Sequence, residues 1–196
     1  MTIEGNPLTT TGELEIAIVH GSDYQGSTAG GDPLDKLLEL VVQRLALARD
    51  VAAVKYLRGE PIEDPVRERK ILGAVATALD ACGRNQRIGM QFFRDQIEAS
   101  KVIQRGLHHR WYAHPEEAPT THRSLAAEIR PELDRIAWQM IAQLGCLTEI
   151  PQAKRADIAD VVDKRLFSTM PARQLPRLHH AAAVFAMRFL YTEAEQ

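Results

Sequence analysis

From Pro33 onward, apolar residues return at steps of three and four, and no stretch offers a sustained period-two alternation bounded by turn residues. Leu34, Leu37, Leu38, Val41, Val42, Leu45, Ala48 and Ala52 form the first stripe, the pattern of a helix with one buried face. Asp32 offers an acceptor to the first free amides, Pro33 stands where a missing N–H costs nothing, and Gly59-Glu60-Pro61 ends the element. A second helix is expected from the Asp64 cap and Pro65 through Ile71, Leu72, Val75 and Leu79 to a stop at Gly83. A third runs from about Gly89 to Tyr112, with Phe92, Phe93, Ile97, Val102, Ile103 and Leu107, and Pro115 and Pro119 bound the loop beyond it. A fourth carries Leu125, Ile129, Leu133, Ile136, Ala137, Met140, Ile141 and Leu144, and Pro131 within it demands a kink or a helix start nearby. Two shorter helices are expected at 152–168 and 175–193, and 13–20 is at most a scrap of edge strand. The fold class that follows is all-α: a single-domain helical bundle of about six helices.

A chain of 196 residues buries roughly 70% of its unfolded surface, enough for a real core. Disorder, collagen and coiled-coil rods are excluded for the whole chain. The 24 Lys and Arg against 26 Asp and Glu leave a net charge of −2, which provides no strongly basic face for a nucleic acid but leaves small anions open. Cys82 and Cys146 permit one bridge at most, and two free thiols is the simpler reading. No apolar run reaches the length of a membrane span, so no membrane partner is expected, and the first thirty residues lack the basic-then-apolar order of a secretory signal. Residues 1–31, rich in Thr, Gly and Ser, read as a flexible leader ahead of one helical domain at 32–196.

The polar residues that matter are those near an apolar face or in line with one another. Arg44 and Lys55 are eleven residues apart, three helical turns plus roughly 20°, so both cations point one way with about 16 Å of rise between them. Two long side chains at that spacing bracket a small anion, although two exposed charges on a solvated face would show the same spacing. Arg67 stands in the first turn of the second helix, where a cation opposes the helix dipole by a few tenths of a kcal/mol. Such a placement suits a guanidinium aimed at an anion, or else a local pair with Glu63 or Glu68. Gln96, Ser100 and Gln104 form a neutral polar line flanked by Phe93, Ile97, Val102 and Ile103, fit for a buried polar ligand or for a satisfied row between helices. The adjacent pairs His108-His109 and His179-His180 diverge by about 100° on a helix, unlike a zinc-chelating pair. No metal site, phosphate-cradling glycine loop or nucleophile elbow is visible, so covalent and nucleotide chemistry lack support.

Taken together, QRLALARDVAAVKYLRGEPIEDPVRERKIL followed by FFRDQIEASKVIQ resembles the all-helical chorismate mutases, in particular the larger, exported gamma subclass. The resemblance spans roughly Leu34 to Met140 and rests on the motifs as a set. It implies a type II-like bundle in which Arg44, Lys55, Arg67, Ser100 and Gln104 line the active site, with Asp64 and Glu68 at acidic positions that meet the substrate hydroxyl. Short members of the family borrow an arginine from the partner's first helix. Here LAAEIRPELDRIAWQMIAQL looks like that helix displaced to the second half of the chain, which makes Arg130 the matching residue and completes the site within one chain. Pro131 beside it is not part of the family pattern.

The implied reaction converts chorismate to prephenate in the phenylalanine and tyrosine route, by a Claisen rearrangement without nucleophile, metal or cofactor. Arg44 and Arg130, with Arg67 adjoining, would clamp the two carboxylates, while Lys55 and Gln104 would donate to the ether oxygen as its bond stretches. The alternative is an inactive helical relative that binds an aromatic or dicarboxylate metabolite; it would be expected to have lost a cation among Arg44, Lys55 and Arg67, and all are present. A DNA-reading regulator would need a basic helix, and none stands out. The resemblance further implies a homodimer, and periplasmic or secreted placement, against a chain in which no signal is visible and for which the cytoplasm stays open.

Overall fold

The structure is a computed structural model, and it describes residues 33–81, 83 and 86–146. The Asp32 cap, the leader, the strand candidate at 13–20, His179-His180 and the helices expected at 152–168 and 175–193 lie outside these residues, as do the Cys82 and Cys146 side chains. Four α-helices fill the described part: α1 (Pro33–Arg58), α2 (Pro65–Ala81), α3 (Gln86–Ala113) and α4 (Arg130–Cys146). A short 3-10 turn at Pro115–Glu117 and a π turn at Leu125–Ile129 join the last two helices. No strand occurs among the described residues, so the class is all-α as the periodicity requires. None of these helices is long and apolar enough to cross a membrane.

The expected punctuation holds where it can be seen. α1 ends at Gly59, whose φ of 64° is the left-handed conformation that stops a helix, and Gly83 does the same for α2 with φ 61°. At the head of α2, Asp64 Oδ1 accepts from the Arg67 amide at 3.0 Å while the Asp64 amide donates to Glu68 Oε1 at 3.4 Å, a reciprocal cap. α3 starts at Gln86 rather than near Gly89. Its first two residues are exposed and polar, so they lie outside the apolar period that located the helix.

α1 is the central element, buried at thirteen of its residues and packed against α3 and α4. The His108 ring meets the Ala52 carbonyl and the Tyr56 ring packs on Trp111, so α1 and α3 run in the same direction. Glu63, just ahead of α2, pairs with Arg105 and Glu68 with Lys101, so α2 packs on α3 in the opposite direction. Leu37, Leu45, Leu79, Phe92, Phe93, Ile103, Trp111, Ile136 and Met140 are fully enclosed and form the core that holds the four helices.

Pro131 sits inside a continuous helical run that starts at the Ser124 cap: it is the second residue of α4, which follows the π turn at Leu125–Ile129 without a break. Ahead of it the backbone widens: the Ile129 amide donates to the Ser124 carbonyl at 3.1 Å, and the Arg130 amide donates to the Leu125 carbonyl, both five residues back. Ser124 caps this turn through Oγ, which accepts from the Ala127 amide at 3.1 Å.

Candidate active site

A cavity of about 90 Å³ opens between the helices, lined by Arg44 and Val51 of α1, Arg67 and Ile71 of α2, Phe93 of α3, Leu125, and Arg130, Leu133, Asp134 and Ala137 of α4. Helical spacing explains the α4 lining, because positions i, i+3, i+4 and i+7 share one face. Arg44 and Val51 are seven residues apart and therefore also share a stripe. The structure thus brings Arg44, Arg67 and Arg130 from three different helices onto one small space.

Arg44 is the most unusual of them. Its side chain is buried, and its Nε is enclosed without a hydrogen-bond partner. Burial pushes its pKa down to about 10; the carboxylate of Asp134 opposes that shift and the Arg67 guanidinium adds to it. The residue stays cationic at neutral pH, so the fold carries a charge in its interior whose donor capacity is not met by protein. An unmet buried donor costs on the order of 1–3 kcal/mol, a penalty that an incoming anion relieves. The picture of exposed charges on a solvated face does not survive for Arg44, and Lys55 is half-buried.

Arg67 does not make the local pair with Glu63 or Glu68 that its neighbours would allow. Glu63 is taken by Arg105 at 2.6 Å and Glu68 by Lys101 at 3.3 Å, while Arg67 Nη2 reaches across to Asp134 Oδ1 at 3.6 Å. Lys101 is itself buried, which would lower its pKa, but the hydrogen bonds it donates to Glu98 and Glu68 outweigh the burial and raise it.

The remaining expected residues are not in this lining, but they continue its stripes. Lys55 lies one turn beyond Val51 on α1, about 6 Å along the axis, and its ammonium donates to the Ile62 carbonyl at 2.5 Å. Burial lowers the Lys55 pKa, against the raising influence of Asp64 and the neighbouring glutamates. On α3, Ser100 and Gln104 are seven and eleven residues beyond Phe93, each within roughly 20° of its direction. Gln104 Nε2 donates to Ser100 Oγ at 3.0 Å, and Gln104 Oε1 is enclosed without a partner. Asp64 and Glu68 are committed to the cap of α2, and Glu68 also to Lys101.

Asp134 is the charged lining residue that sequence reasoning passed over. Its only signal is that it falls one turn after Arg130 on the same helix face. His108, by contrast, is occupied in structure: its Nε2 lies 2.9 Å from the Ala52 carbonyl, within an aromatic cluster of Tyr56, Trp111 and Tyr112. Among the described residues no group of three His, Cys, Asp or Glu side chains is placed to hold a metal.

Guanidiniums from three helices around one cavity give this all-helical protein a cationic pocket. Comparison with known proteins makes the class specific. Residues 35–105 match the family model for chorismate mutase type II. The secreted chorismate mutase of Mycolicibacterium smegmatis is 32% identical over 135 residues, which cover 67% of this chain and 73% of that protein. The chorismate mutase of Methanocaldococcus jannaschii is 36% identical over 75 residues, 38% of this chain and 76% of that protein. Among solved structures, the chorismate mutase from Burkholderia thailandensis superposes with a TM-score of 0.66 at 30% identity, covering 82% of this chain and 99% of that one. The chain belongs to the type II, all-helical chorismate mutase family.

Proposed function

We propose that this protein converts chorismate to prephenate. The observation that carries the reading is the buried Arg44 with its unmet Nε, facing a cavity shared with Arg67 and Arg130. Chorismate bears two carboxylates, and the reaction breaks a C–O bond while forming a C–C bond within one molecule. The protein must therefore select a folded shape and stabilise charge, and it needs no group that bonds to the substrate.

Arg44 and Arg130, with Arg67 adjoining, hold the carboxylates so that the enolpyruvyl arm lies over the ring; a guanidinium suits this because its planar fork binds a carboxylate through two parallel hydrogen bonds. Positioning of this kind converts a rarely visited shape into the bound one. As the C–O bond lengthens, negative charge grows on the ether oxygen, and donors aimed there bind the transition state more tightly than the substrate. Lys55 fills that role with the ammonium hydrogens left over from its bond to Ile62. Gln104 fills it by turning its amide, so that Oε1 accepts from the Ser100 hydroxyl and Nε2 faces the substrate. Asp64 and Glu68, fixed by the α2 cap beside Arg67, stand where a ring hydroxyl is met.

With Arg130 supplied by the same chain, one protomer carries a complete site, and a homodimer would hold two independent ones. The residues 32–196 act as one catalytic domain behind a leader at 1–31. An exported location is supported by relatives named as secreted, such as that of Mycolicibacterium smegmatis, and the reaction places the protein in phenylalanine and tyrosine formation. The test is loss of chorismate absorbance on adding the purified full chain, with a chelator present and no cofactor. Conversion to prephenate at an enzymatic rate is expected, and an unchanged absorbance would end this reading.

A further inference from the structure

Asp134 is a carboxylate set inside a cluster of cations that is otherwise arranged for an anionic ligand. Among the described residues of the cavity lining it is the single acidic side chain, against Arg44, Arg67 and Arg130. Of the acids beside Arg67 in the chain, Glu63 and Glu68 are engaged by Arg105 and Lys101, and Asp64 Oδ1 accepts from the Arg67 amide in the α2 cap. Arg67 therefore rests on Asp134, but at 3.6 Å, longer than a hydrogen bond. An ionic contact of that length is readily exchanged for the shorter, bidentate contact a ligand carboxylate makes. Asp134 also faces Arg44 electrostatically, where Arg67 repels it. The pair of Arg67 and Asp134 links α2 to α4 in the lining of the cavity.

We propose that Asp134 is a resident counter-ion, a positioning residue that holds Arg67 and quiets the repulsion among the arginines in the empty site, and that gives up Arg67 to a substrate carboxylate on binding. The inference rests on the reading of the cavity as the dicarboxylate site. Asp134 has two opposed effects: it stabilises the unliganded protein, and it competes with the ligand for the same guanidinium. A side chain that only braced the fold would show the first effect without the second.

Full-length wild type, Asp134→Asn and Asp134→Ser are titrated calorimetrically with isophthalate, a ring with two carboxylates, and with benzoate, which has one. Both variants are expected to melt at lower temperature than wild type in ligand-free buffer, and to bind isophthalate roughly three- to tenfold more tightly, as for removal of a part-exposed competing charge. The gain for benzoate is smaller, because a change of field acts in proportion to ligand charge. Saturating isophthalate narrows the melting deficit. Asp134→Glu, which keeps the charge, shows no tightening. Isophthalate binding that is unchanged, weaker or absent in the neutral variants overturns the inference, as does a melting deficit that isophthalate leaves intact. Wild type that binds isophthalate but leaves chorismate untouched would end the catalytic reading while the counter-ion role stands. Turnover of chorismate by wild type, with KM raised in Asp134→Asn, would do the reverse.

Discussion

Arg123 Nη1 lies 2.9 Å from Asp50 Oδ2, tying the segment ahead of α4 to α1. The same guanidinium reaches Glu132 in the first turn of α4 at 3.1 Å and Glu128 in the π turn at 3.5 Å. Hydrogen bonds to Asp50 and Glu132 hold it firmly charged, with its pKa raised above the ordinary arginine value. Arg130 sits between Glu128 and Glu132 in the chain, so this network sets where its side chain begins relative to Arg44. Arg123→Ala should change stability little, because exposed pairs contribute little, yet lower kcat/KM for chorismate about tenfold by loosening Arg130. Thermal melting beside steady-state kinetics checks this; unchanged kinetics would confine Arg123 to a surface role.

The pH profile should separate Gln104 from Lys55. Gln104 donates without titrating, so activity is expected to be flat around neutral pH, and Gln104→Glu, which must be protonated to donate, should move the optimum to acid. Lys55 donates only while charged, and burial lowers its pKa from 10.5. The alkaline fall of kcat/KM, which reports the free enzyme, should therefore have its midpoint below that value. An unshifted profile in Gln104→Glu would remove Gln104 from the ether oxygen.

Gly89 lies against α2 so closely that a Cβ there would stand 2.3 Å from Leu79 Cδ1. Leu79 is fully buried, so its methyl can yield only by repacking within the core. Gly89→Ala should cost about 1–3 kcal/mol despite the better helix propensity of alanine. Urea denaturation reads the loss directly, and a stabilised variant would show that α2 and α3 have room to part.

The helices were largely legible because capping residues and apolar period agree: Asp64-Pro65 opens α2 and Gly59 and Gly83 close their helices where the spacing says they should. The cations were legible for a related reason. Arg67 in the first turn of a helix and Arg44 on an apolar stripe are locally unfavourable placements, and the structure resolves both toward one cavity. What could not be read is what depends on tertiary partners. Arg67 prefers Asp134 on α4 to the glutamates beside it, and nothing local distinguishes Asp134 from any solvated helix charge. The π turn that admits Pro131 is likewise a compromise between a proline and a helix face already fixed by Arg130, Leu133 and Ala137.

Asp64→Ala should cost about 1 kcal/mol through loss of the α2 cap, a modest destabilisation visible in chemical denaturation. Because the same cap holds the amide of Arg67, the variant should also raise KM for chorismate several-fold. Asp64→Ser keeps a capping oxygen and should restore stability. Failure of Ser to do so would mean that the carboxylate acts through its charge.

The most direct measurement is kcat/KM for chorismate in Arg44→Ala beside wild type, with thermal melts of both. Removing a buried cation with an unmet donor should leave the fold as stable as before or more so, since such a charge is costly to enclose. Catalysis should fall a hundredfold or more, equivalent to about 3–4 kcal/mol of barrier stabilisation. A variant that keeps most of its activity would contradict the role given to Arg44 and, with it, the arginine clamp.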